Sequence, residues 1–369
     1  MSSTLSIFMQ PVAVPVALAK EMNINIQIIA DKLSISKSTV SRALRNHPDI
    51  STATRDRVVK MANELGYEPN LVAQALTTKK TFTIGVIIPH IGHSFYAEAL
   101  QGMGDVLYDT GYQILIASSN EDSERELLNI KNLLAKKVDG LIISVAASTT
   151  SIERFENLVS KKIPLVFFDR KIKGLAASSV SIPYHKIYRQ KLEYITAQGI
   201  TNIAYIDGNQ ESFYSQLKIE AFNQVINESS YRFDRVQIIQ APPDLNGGLE
   251  AFKKLYRSND LPQLLDASAS MQAMGILKAA QMNKVDIPGD LELFGNYITQ
   301  ATDLLTPRIS GAGFSIKDMG RQAANLLLEH LNEKNKNPAE YFVDASLCLR
   351  ETTKNSAIKI KSNLSLPKN

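Results

Sequence analysis

Residues 28–44 read IIADKLSISKSTVSRAL, and this stretch decides the fold of the N-terminal part of the chain. It predicts two short helices joined by a tight turn at Ser34 and Ile35, the first one capped by Asn25 and the second one by Ser36. Apolar residues recur on both helices at helical spacing: Ile28, Ile29, Leu33, Val40, Ala43 and Leu44. Such a pair is a helix-turn-helix, in which the apolar sides pack together.

The second helix leaves a polar and cationic face exposed, formed by Lys37, Ser38, Ser41 and Arg42. A helix that enters the major groove of DNA needs such a face. Arginine can bond guanine O6 and N7 with two hydrogen bonds, while serine can serve bases or phosphates. The same pattern also fits a small helical bundle with a solvated, charged face, so the spacing alone leaves both interpretations open.

A third helix is predicted after Ser51 or Thr52. The residues of its apolar stripe are Val58, Met61, Ala62 and Leu65. Gly66 is expected to end it, because glycine readily takes the left-handed conformation found at many helix ends.

The net charge of the chain is concentrated in the same segment. The chain has 369 residues and a formal net charge of +4. Residues 22–80 hold nine Lys and Arg against five Asp and Glu, whereas residues 81–369 hold 31 of each sign and are neutral. This asymmetry is typical of a small nucleic-acid-binding module attached to a neutral body.

The composition excludes several classes of protein. Hydrophobic residues make up 44% and charged residues 21%, which is ordinary for a globular protein and excludes collagen-like and disordered chains. The single Cys348 can form neither an internal disulfide nor a multi-thiolate zinc site, and it agrees with a reducing cytoplasm. No apolar run reaches the roughly 18 residues of a spanning helix.

The helical module resembles the DNA-binding domain of the lactose-repressor (LacI/GalR) family of bacterial transcription regulators. Residues 38–42, STVSR, and residues 65–70, LGYEPN, carry this resemblance. Ser34 departs from the family, which usually has glycine at this turn. The resemblance implies a cytoplasmic homodimer without a cofactor. Such a dimer binds a palindromic operator, more often as a repressor than as an activator, and controls carbohydrate-related genes.

The resemblance also assigns DNA contacts to two segments. The contacts in and around the second helix are Ser36, Lys37, Ser38, Thr39, Ser41, Arg42 and Asn46. Those in a hinge helix or linker over residues 70–80 are Asn70, Ala73, Leu76 and Lys79. Leu76 matches an apolar wedge that enters the minor groove, where such a side chain unstacks a base step and bends the duplex. Without the resemblance, this segment is a helix of two turns at most, or a plain linker.

Strands and helices alternate in the rest of the chain. The predicted strands cover residues 83–89, 113–117, 140–144, 164–169, 202–207 and 236–239, and two of the predicted helices cover residues 95–109 and 123–136. This alternation indicates an α/β fold of parallel sheets with helices on both faces. The body resembles the periplasmic-binding-protein-like sensor of the same family. It therefore implies two doubly wound subdomains with a ligand cleft at the carboxyl ends of the strands.

These patterns predict five segments. They are a disordered extension or a misplaced start at 1–21, the helix-turn-helix domain at 22–69, the hinge at 70–80, the sensing and dimerisation domain at 81–353, and a flexible tail at 354–369. In the sensing domain, the N-subdomain takes about 83–181 and 312–343, and the C-subdomain about 182–311 and 344–353. By resemblance, the dimer face uses helices near 95–107 and 271–282.

Several cleft residues follow from the resemblance. Phe95 and Tyr96 match an aromatic pair that stacks on a sugar, and Asp169 and Arg170 end a strand at a loop that contacts ligand. Lys218 stands where the family usually has an arginine that holds ligand oxygens. Lysine keeps the charge but loses the planar fork of donors.

Other cleft positions depart from the family. Ser270 stands where the family has an aspartate that binds sugar hydroxyls. Asn296 lies at a strand end where the family usually has two consecutive aspartates and this sequence has none. With these carboxylates missing, Lys218 and Arg170 are expected to face no acidic partner, which favours an anionic effector such as a sugar phosphate. Two alternatives stay open. The effector is an unusual neutral molecule, or the cleft no longer binds a small molecule and senses a protein partner or nothing.

His90 and His93 have the spacing of a metal site, but nearby Cys, Asp or Glu residues do not complete one, and we expect polar loop residues and no metal.

No nucleophile and base set for catalysis is evident, so we expect no enzyme. The competing interpretation from another class is a periplasmic-type ligand-binding protein without a DNA function. A secretion signal would support it, but the apolar stretch 11–19 has no preceding Lys or Arg and contains two prolines.

Overall fold

The computed structural model describes residues 24–67, 80–208, 210–332 and 337–354. The described residues form two compact units, residues 24–67 and residues 80–354 with the gaps just given. The predicted hinge contacts Asn70, Ala73, Leu76 and Lys79 lie outside the described residues, as does most of the predicted tail.

The first unit confirms the predicted helix-turn-helix. Its helices are α1 (Ile26–Leu33), α2 (Lys37–Leu44) and α3 (Thr52–Leu65). Each begins after a capping side chain whose oxygen accepts a hydrogen bond from a backbone N–H of the first turn, and these caps are Asn25, Ser36 and Ser51. The buried core consists of Ile29, Ala30, Val40, Ala43, Val58 and Ala62. Ile28 is half-exposed and does not join this core.

The turn between α1 and α2 depends on a left-handed serine. Ser34 has φ 54° and ψ 42°, and its N–H donates back to the carbonyls of Ala30 and Asp31. An L-residue with a Cβ pays roughly 1–2 kcal/mol for this conformation, whereas glycine does not.

We expect Ser34→Gly to stabilise the helical unit by about 0.5–1 kcal/mol, because relief of the left-handed strain exceeds the greater freedom of glycine in the unfolded chain. Hydrogen exchange of the α1 and α2 amides measures this change in stability, and we expect the protection factors to rise roughly two- to fivefold. Ser38→Gly, inside α2, is the matched control and should lower protection, because glycine is unfavourable within a helix. Equal changes in the two variants would contradict the strain argument.

The second unit contains two six-stranded sheets. The strands are β1 (Thr83–Ile88), β2 (Gln113–Ser118), β3 (Gly140–Ile143), β4 (Leu165–Asp169), β5 (Ser178–Ser181), β6 (Asn202–Asp207), β7 (Arg235–Gln240), β8 (Leu264–Ala267), β9 (Glu292–Tyr297), β10 (Ser310–Gly313), β11 (Glu340–Phe342) and β12 (Ser346–Cys348). The helices are α4 (Ser94–Tyr108), α5 (Ser123–Ala135), α6 (Glu153–Ser160), α7 (Tyr184–Ala197), α8 (Phe213–Glu228), α9 (Leu245–Arg257), α10 (Ser270–Met282), α11 (Gln300–Asp303) and α12 (Ile316–Leu331).

The strand order confirms the predicted doubly wound α/β body. One sheet has the order β11-β5-β4-β3-β1-β2 and the other β12-β10-β9-β8-β6-β7. Among the described strands, all neighbouring pairs are parallel except β10 with β12, which is antiparallel. The central strands are buried along nearly their whole length, as in β4, because helices cover parallel sheets on both faces.

The chain passes between the two sheets three times. The crossings lie between β5 and α7, between β10 and α12, and between β11 and β12. The second crossing therefore follows Gly313. Because the crossings join the sheets at one side, the loops after the parallel strands of both sheets line one cleft.

Glycines bring α4 and α12 into close contact. A Cβ on Gly102 of α4 would lie 1.9 Å from the carbonyl oxygen of Lys317, and one on Gly320 of α12 would lie 2.0 Å from that of Ala99. The two helix backbones therefore touch where side chains would hold them apart. Within the described ranges, no helix is long and apolar enough to cross a membrane.

Candidate nucleic-acid interface and ligand cleft

The outer face of α2 carries the predicted DNA-contacting side chains. Lys37, Ser38 and Arg42 are exposed, and Thr39 and Ser41 are half-exposed, while Val40 and Ala43 face the core. This separation follows from the helical period of about 3.6 residues, which puts residues three or four positions apart on the same face. The face is therefore accessible, polar and cationic.

Two of the predicted contacts also have structural roles. The Ser36 hydroxyl caps α2 by accepting from the Thr39 backbone N–H at 3.1 Å, and it lies 2.6 Å from the Ser38 hydroxyl. Asn46, just after α2, is exposed and left-handed with φ 56°. A side chain that caps the helix is held in one orientation, so Ser36 is a positioned group.

Arg45 is a member of this face that the sequence analysis missed. Its guanidinium donates to the Ser41 carbonyl at 3.1 Å and to the Ser41 hydroxyl at 2.5 Å, across one helical turn. It thereby holds the Ser41 side chain and adds a third exposed cation to Lys37 and Arg42. The spacing of four residues from Ser41 was the signal that could have identified it.

The cleft of the second unit contains a cavity of about 670 Å³. Its lining residues come from loops after strands of both sheets: His90, Gly92, His93, Ser94, Glu121, Ala147, Ser148, Gly208, Gln240, Ala241, Pro242, Pro243, Asp244, Ser270, Met271, Met274, Thr299 and Ala301. This volume lies within the range of roughly 300–1,000 Å³ typical of small-molecule sites. Of the seven predicted effector residues, only Ser270 lines it.

Phe95 and Tyr96 are buried at the base of α4 and do not line the cavity. The ring centroids of Phe95 and Tyr297 lie 4.7 Å apart, and the Tyr96 hydroxyl donates to Asp169 at 3.2 Å. In this structure both rings therefore pack inside the protein. The predicted sugar-stacking pair is therefore not open to the cavity in this arrangement, because Tyr297 of the other sheet covers Phe95, and Phe168 and Asp169 of β4 cover Tyr96.

Arg170 has acidic partners, which corrects the prediction that it would face none. Its guanidinium donates to both carboxylate oxygens of Glu121, at 2.7 and 3.1 Å, and lies 3.6 Å from Asp169. Glu121 is 49 residues away in the sequence and comes from the loop after β2. No local pattern signals a pairing across such a distance.

Asp169 is strained as well as buried. It has φ 60°, and the Arg170 N–H closes a tight turn onto the Phe168 carbonyl at 2.6 Å. Its Oδ1 has no hydrogen-bond partner, and burial raises the pKa of its carboxyl to about 6, although Arg170 opposes the shift. Strained backbone of this kind is common at functional sites and has to be stabilised by the surrounding structure.

Lys218 is likewise paired, contrary to prediction. Its ammonium donates to Asp207 Oδ1 at 3.0 Å and to the Ser268 carbonyl at 3.3 Å, and it has no exposed surface. Burial lowers the pKa of Lys218, and Asp207 opposes that change. The same carboxylate accepts from Tyr205, Gly208, Ser215 and Ser268. Asp207 is therefore the centre of a satisfied polar network, which the sequence analysis did not identify.

Tyr214 contacts both cations and fills the inner end of the cleft. Its ring centroid lies 4.0 Å from Arg170 Cζ and 3.7 Å from Lys218 Nζ. Asn296 donates to its hydroxyl at 3.3 Å, and the Ser270 hydroxyl donates to the Tyr297 carbonyl at 2.8 Å. In this structure the polar side chains of the predicted ligand contacts are therefore engaged with other groups of the protein.

Two family models match the chain. The model described as bacterial regulatory proteins, lacI family, matches residues 25–70, and the periplasmic binding protein-like domain matches residues 192–353. Catabolite control protein A of Priestia megaterium is 28% identical over 334 residues, which are 90% of this chain and 100% of the relative. The protein of the same name from Staphylococcus xylosus is 27% identical over 334 residues, with the same coverage.

Solved structures show the same fold. The lac repressor dimer bound to operator and the anti-inducer ONPF has a TM-score of 0.78 at 19% identity, covering 89% of this chain and 99% of that chain. The transcriptional regulator CelR in complex with cellobiose has a TM-score of 0.65 at 21% identity, with the same coverage.

Proposed function

We propose, on the premise that this chain belongs to the lacI family of bacterial regulatory proteins, that it is a sequence-specific DNA-binding repressor of carbohydrate-related genes. The observation that carries the DNA-binding part is the outer face of α2. There, Lys37, Ser38 and Arg42 are exposed on a helix whose opposite side anchors it in a buried core. A regulator of this kind acts on the bacterial chromosome and therefore in the cytoplasm.

The operator is proposed to be palindromic and the protein a homodimer. Two-fold symmetry in a dimer is matched by two half-sites in the DNA. Large apolar side chains are exposed in or next to the predicted dimer segments, among them Tyr108 at the end of α4, Leu115 and Ile116 on β2, and Met282 at the end of α10. Exposed apolar patches of this kind favour burial against a second copy.

The effector is proposed to bind in the cavity between the two sheets. This cavity is large enough for a small molecule although the inner end of the cleft is filled by Tyr214 and its partners. This open volume favours control by a small molecule over the alternative that the cleft no longer binds one. The two internal ion pairs remove the reason to expect an anion, since neither Arg170 nor Lys218 lacks an acidic partner.

We expect Arg42→Ala to weaken binding to DNA from upstream of the protein's own gene by about 1–3 kcal/mol, which is roughly five- to 150-fold, because one arginine contact to a base is lost. Fluorescence anisotropy of a labelled fragment measures the dissociation constant. The matched control is Arg257→Ala, an exposed arginine at the end of α9 in the other unit, which should change little.

The affinity should also fall steeply with salt, because phosphate contacts release counterions. Between 50 and 200 mM salt, a protein with several phosphate contacts loses roughly 10³–10⁵ in affinity. Binding that is independent of salt, or equally weakened by both arginine substitutions, would contradict the assignment of α2 as the recognition helix.

A further inference from the structure

We propose that the cleft cavity takes an uncharged small molecule with a largely apolar body, rather than an anion or a free sugar. This inference rests on the proposed role of the cavity as the effector site and specifies the chemistry of that effector. Three features of the lining support it: the sign of its charges, the engagement of its polar groups, and one buried nitrogen that lacks a partner.

The charged groups of the lining disfavour an anion. Among the described residues that line the cavity, the carboxylates of Glu121 and Asp244 are present and no lysine or arginine is. The buried cations Arg170 and Lys218 do not line the cavity and are bound to Glu121 and Asp207. An anionic ligand would therefore lose its hydration and meet negative charge without a free cation to offset that cost.

The polar groups of the lining are largely engaged within the protein. Asp244 caps α9 by accepting from the Gly247 N–H at 2.7 Å, and Ser270 donates to the Tyr297 carbonyl. Thr299 caps α11. The remaining surface is mostly apolar and comes from Pro242, Pro243, Met271 and Met274, among others. A free sugar would bury many hydroxyls against this surface without partners, and each unpartnered hydroxyl weakens binding.

His93 offers one point of polar recognition. Its Nδ1 is buried without a hydrogen-bond partner, and it precedes α4 without capping that helix. Burial, and then Arg170, lower the pKa of His93 to about 4, so the ring is neutral at physiological pH. A neutral imidazole has one donor and one acceptor nitrogen. It therefore matches a single hydroxyl or carbonyl on an otherwise apolar ligand.

Three uncharged or anionic probes built on a six-membered ring test this inference on the full chain: 4-phenylcyclohexanol, D-glucose and glucose 6-phosphate. The first carries one hydroxyl on an apolar body, the second carries hydroxyls around the ring, and the third adds a negative charge to the second. Isothermal titration calorimetry should show 4-phenylcyclohexanol binding at least tenfold more tightly than either other probe. Tightest binding of glucose 6-phosphate or of glucose would overturn the proposal, and so would no binding of 4-phenylcyclohexanol.

Variants place the binding in the cavity. Ala147→Phe fills the cavity from one wall and should abolish binding of 4-phenylcyclohexanol, whereas Ala135→Phe, on the exposed end of α5, should leave it unchanged. His93→Phe should weaken binding about tenfold while thermal unfolding is unaltered. Binding that survives Ala147→Phe would overturn the proposal.

DNA binding measured with the same preparation distinguishes failure of the effector inference from failure of the proposed function. If the protein binds DNA but prefers the anionic probe, the effector inference fails and the proposed function stands. If the protein does not bind DNA but prefers 4-phenylcyclohexanol, the cavity chemistry stands and the proposed function fails.

Discussion

Asp207→Ala is expected to destabilise the second unit by about 3–5 kcal/mol, because it leaves the Lys218 ammonium buried without an opposite charge. Lys218 has no exposed surface and Asp207 is 1% exposed, so water cannot replace the lost carboxylate. The substitution also removes the acceptor of the Ser215 and Ser268 hydroxyls. Urea unfolding followed by circular dichroism measures the change in the midpoint of the transition of this unit.

The double variant Asp207→Asn with Lys218→Met is the control for this prediction. The asparagine oxygen can still accept from the two serines, and methionine fills the space of the lysine without a charge. We expect it to cost much less than Asp207→Ala alone, because a buried ion pair replaced as a whole is often close to neutral. A cost below about 1 kcal/mol for Asp207→Ala would contradict the proposed role of the ion pair.

Glu126→Gln is expected to stabilise the protein at pH 8 by up to about 3 kcal/mol and to change little at pH 4. Glu126 is 1% exposed, and burial raises the pKa of its carboxyl from 4.5 to about 7. The native state therefore holds this proton more tightly than the unfolded chain does. The contribution of Glu126 to the stability of the wild type therefore falls as pH rises from about 4.5 to about 7, and the neutral glutamine does not titrate.

The hydrogen bonds of Glu126 can survive this substitution. One carboxylate oxygen accepts from the Ala146 N–H at 2.7 Å and the other from the Thr149 hydroxyl at 2.7 Å. A glutamine oxygen can take the first bond, and its amide can donate to the hydroxyl. The measurement is the difference in free energy of unfolding between variant and wild type at several pH values. A difference that does not grow between pH 4 and pH 8 would contradict a raised pKa.

Much of the fold could be predicted because its signals are local. The caps Asn25, Ser36 and Ser51 precede apolar residues at helical spacing, and each of these patterns lies within a few consecutive residues. The buried strands are short apolar runs bounded by polar segments, and their alternation with helices fixes the sheet type. The resemblance to a known family added the two-subdomain arrangement, which the strand order confirms.

The ligand cleft could not be predicted in the same way because its contacts are distant in sequence. Arg170 meets Glu121 across 49 residues, and Asn296 meets Tyr214 across 82 residues. The missing family carboxylates suggested unpaired cations, but Asp207 and Glu121 supply the compensating charge from other positions. Burial of charge requires a partner on physical grounds, and the sequence does not say which residue provides it.

The internal pairing changes how the charge of the chain is interpreted. Residues 22–80 carry the net excess of positive charge, and the exposed cations of α2 belong to it. The two cations of the cleft are instead neutralised within the body. The cations of α2 are therefore accessible to DNA, whereas Arg170 and Lys218 in the cleft form ion pairs within the protein.

The most direct test of the central claim is DNase I footprinting of the full chain on DNA upstream of its own gene. We predict protection of two half-sites related by two-fold symmetry, and loss of that protection with Arg42→Ala. Absence of a protected site on this DNA, or equal protection by the wild type and Arg42→Ala, would contradict the assignment of α2 as the reader of an operator.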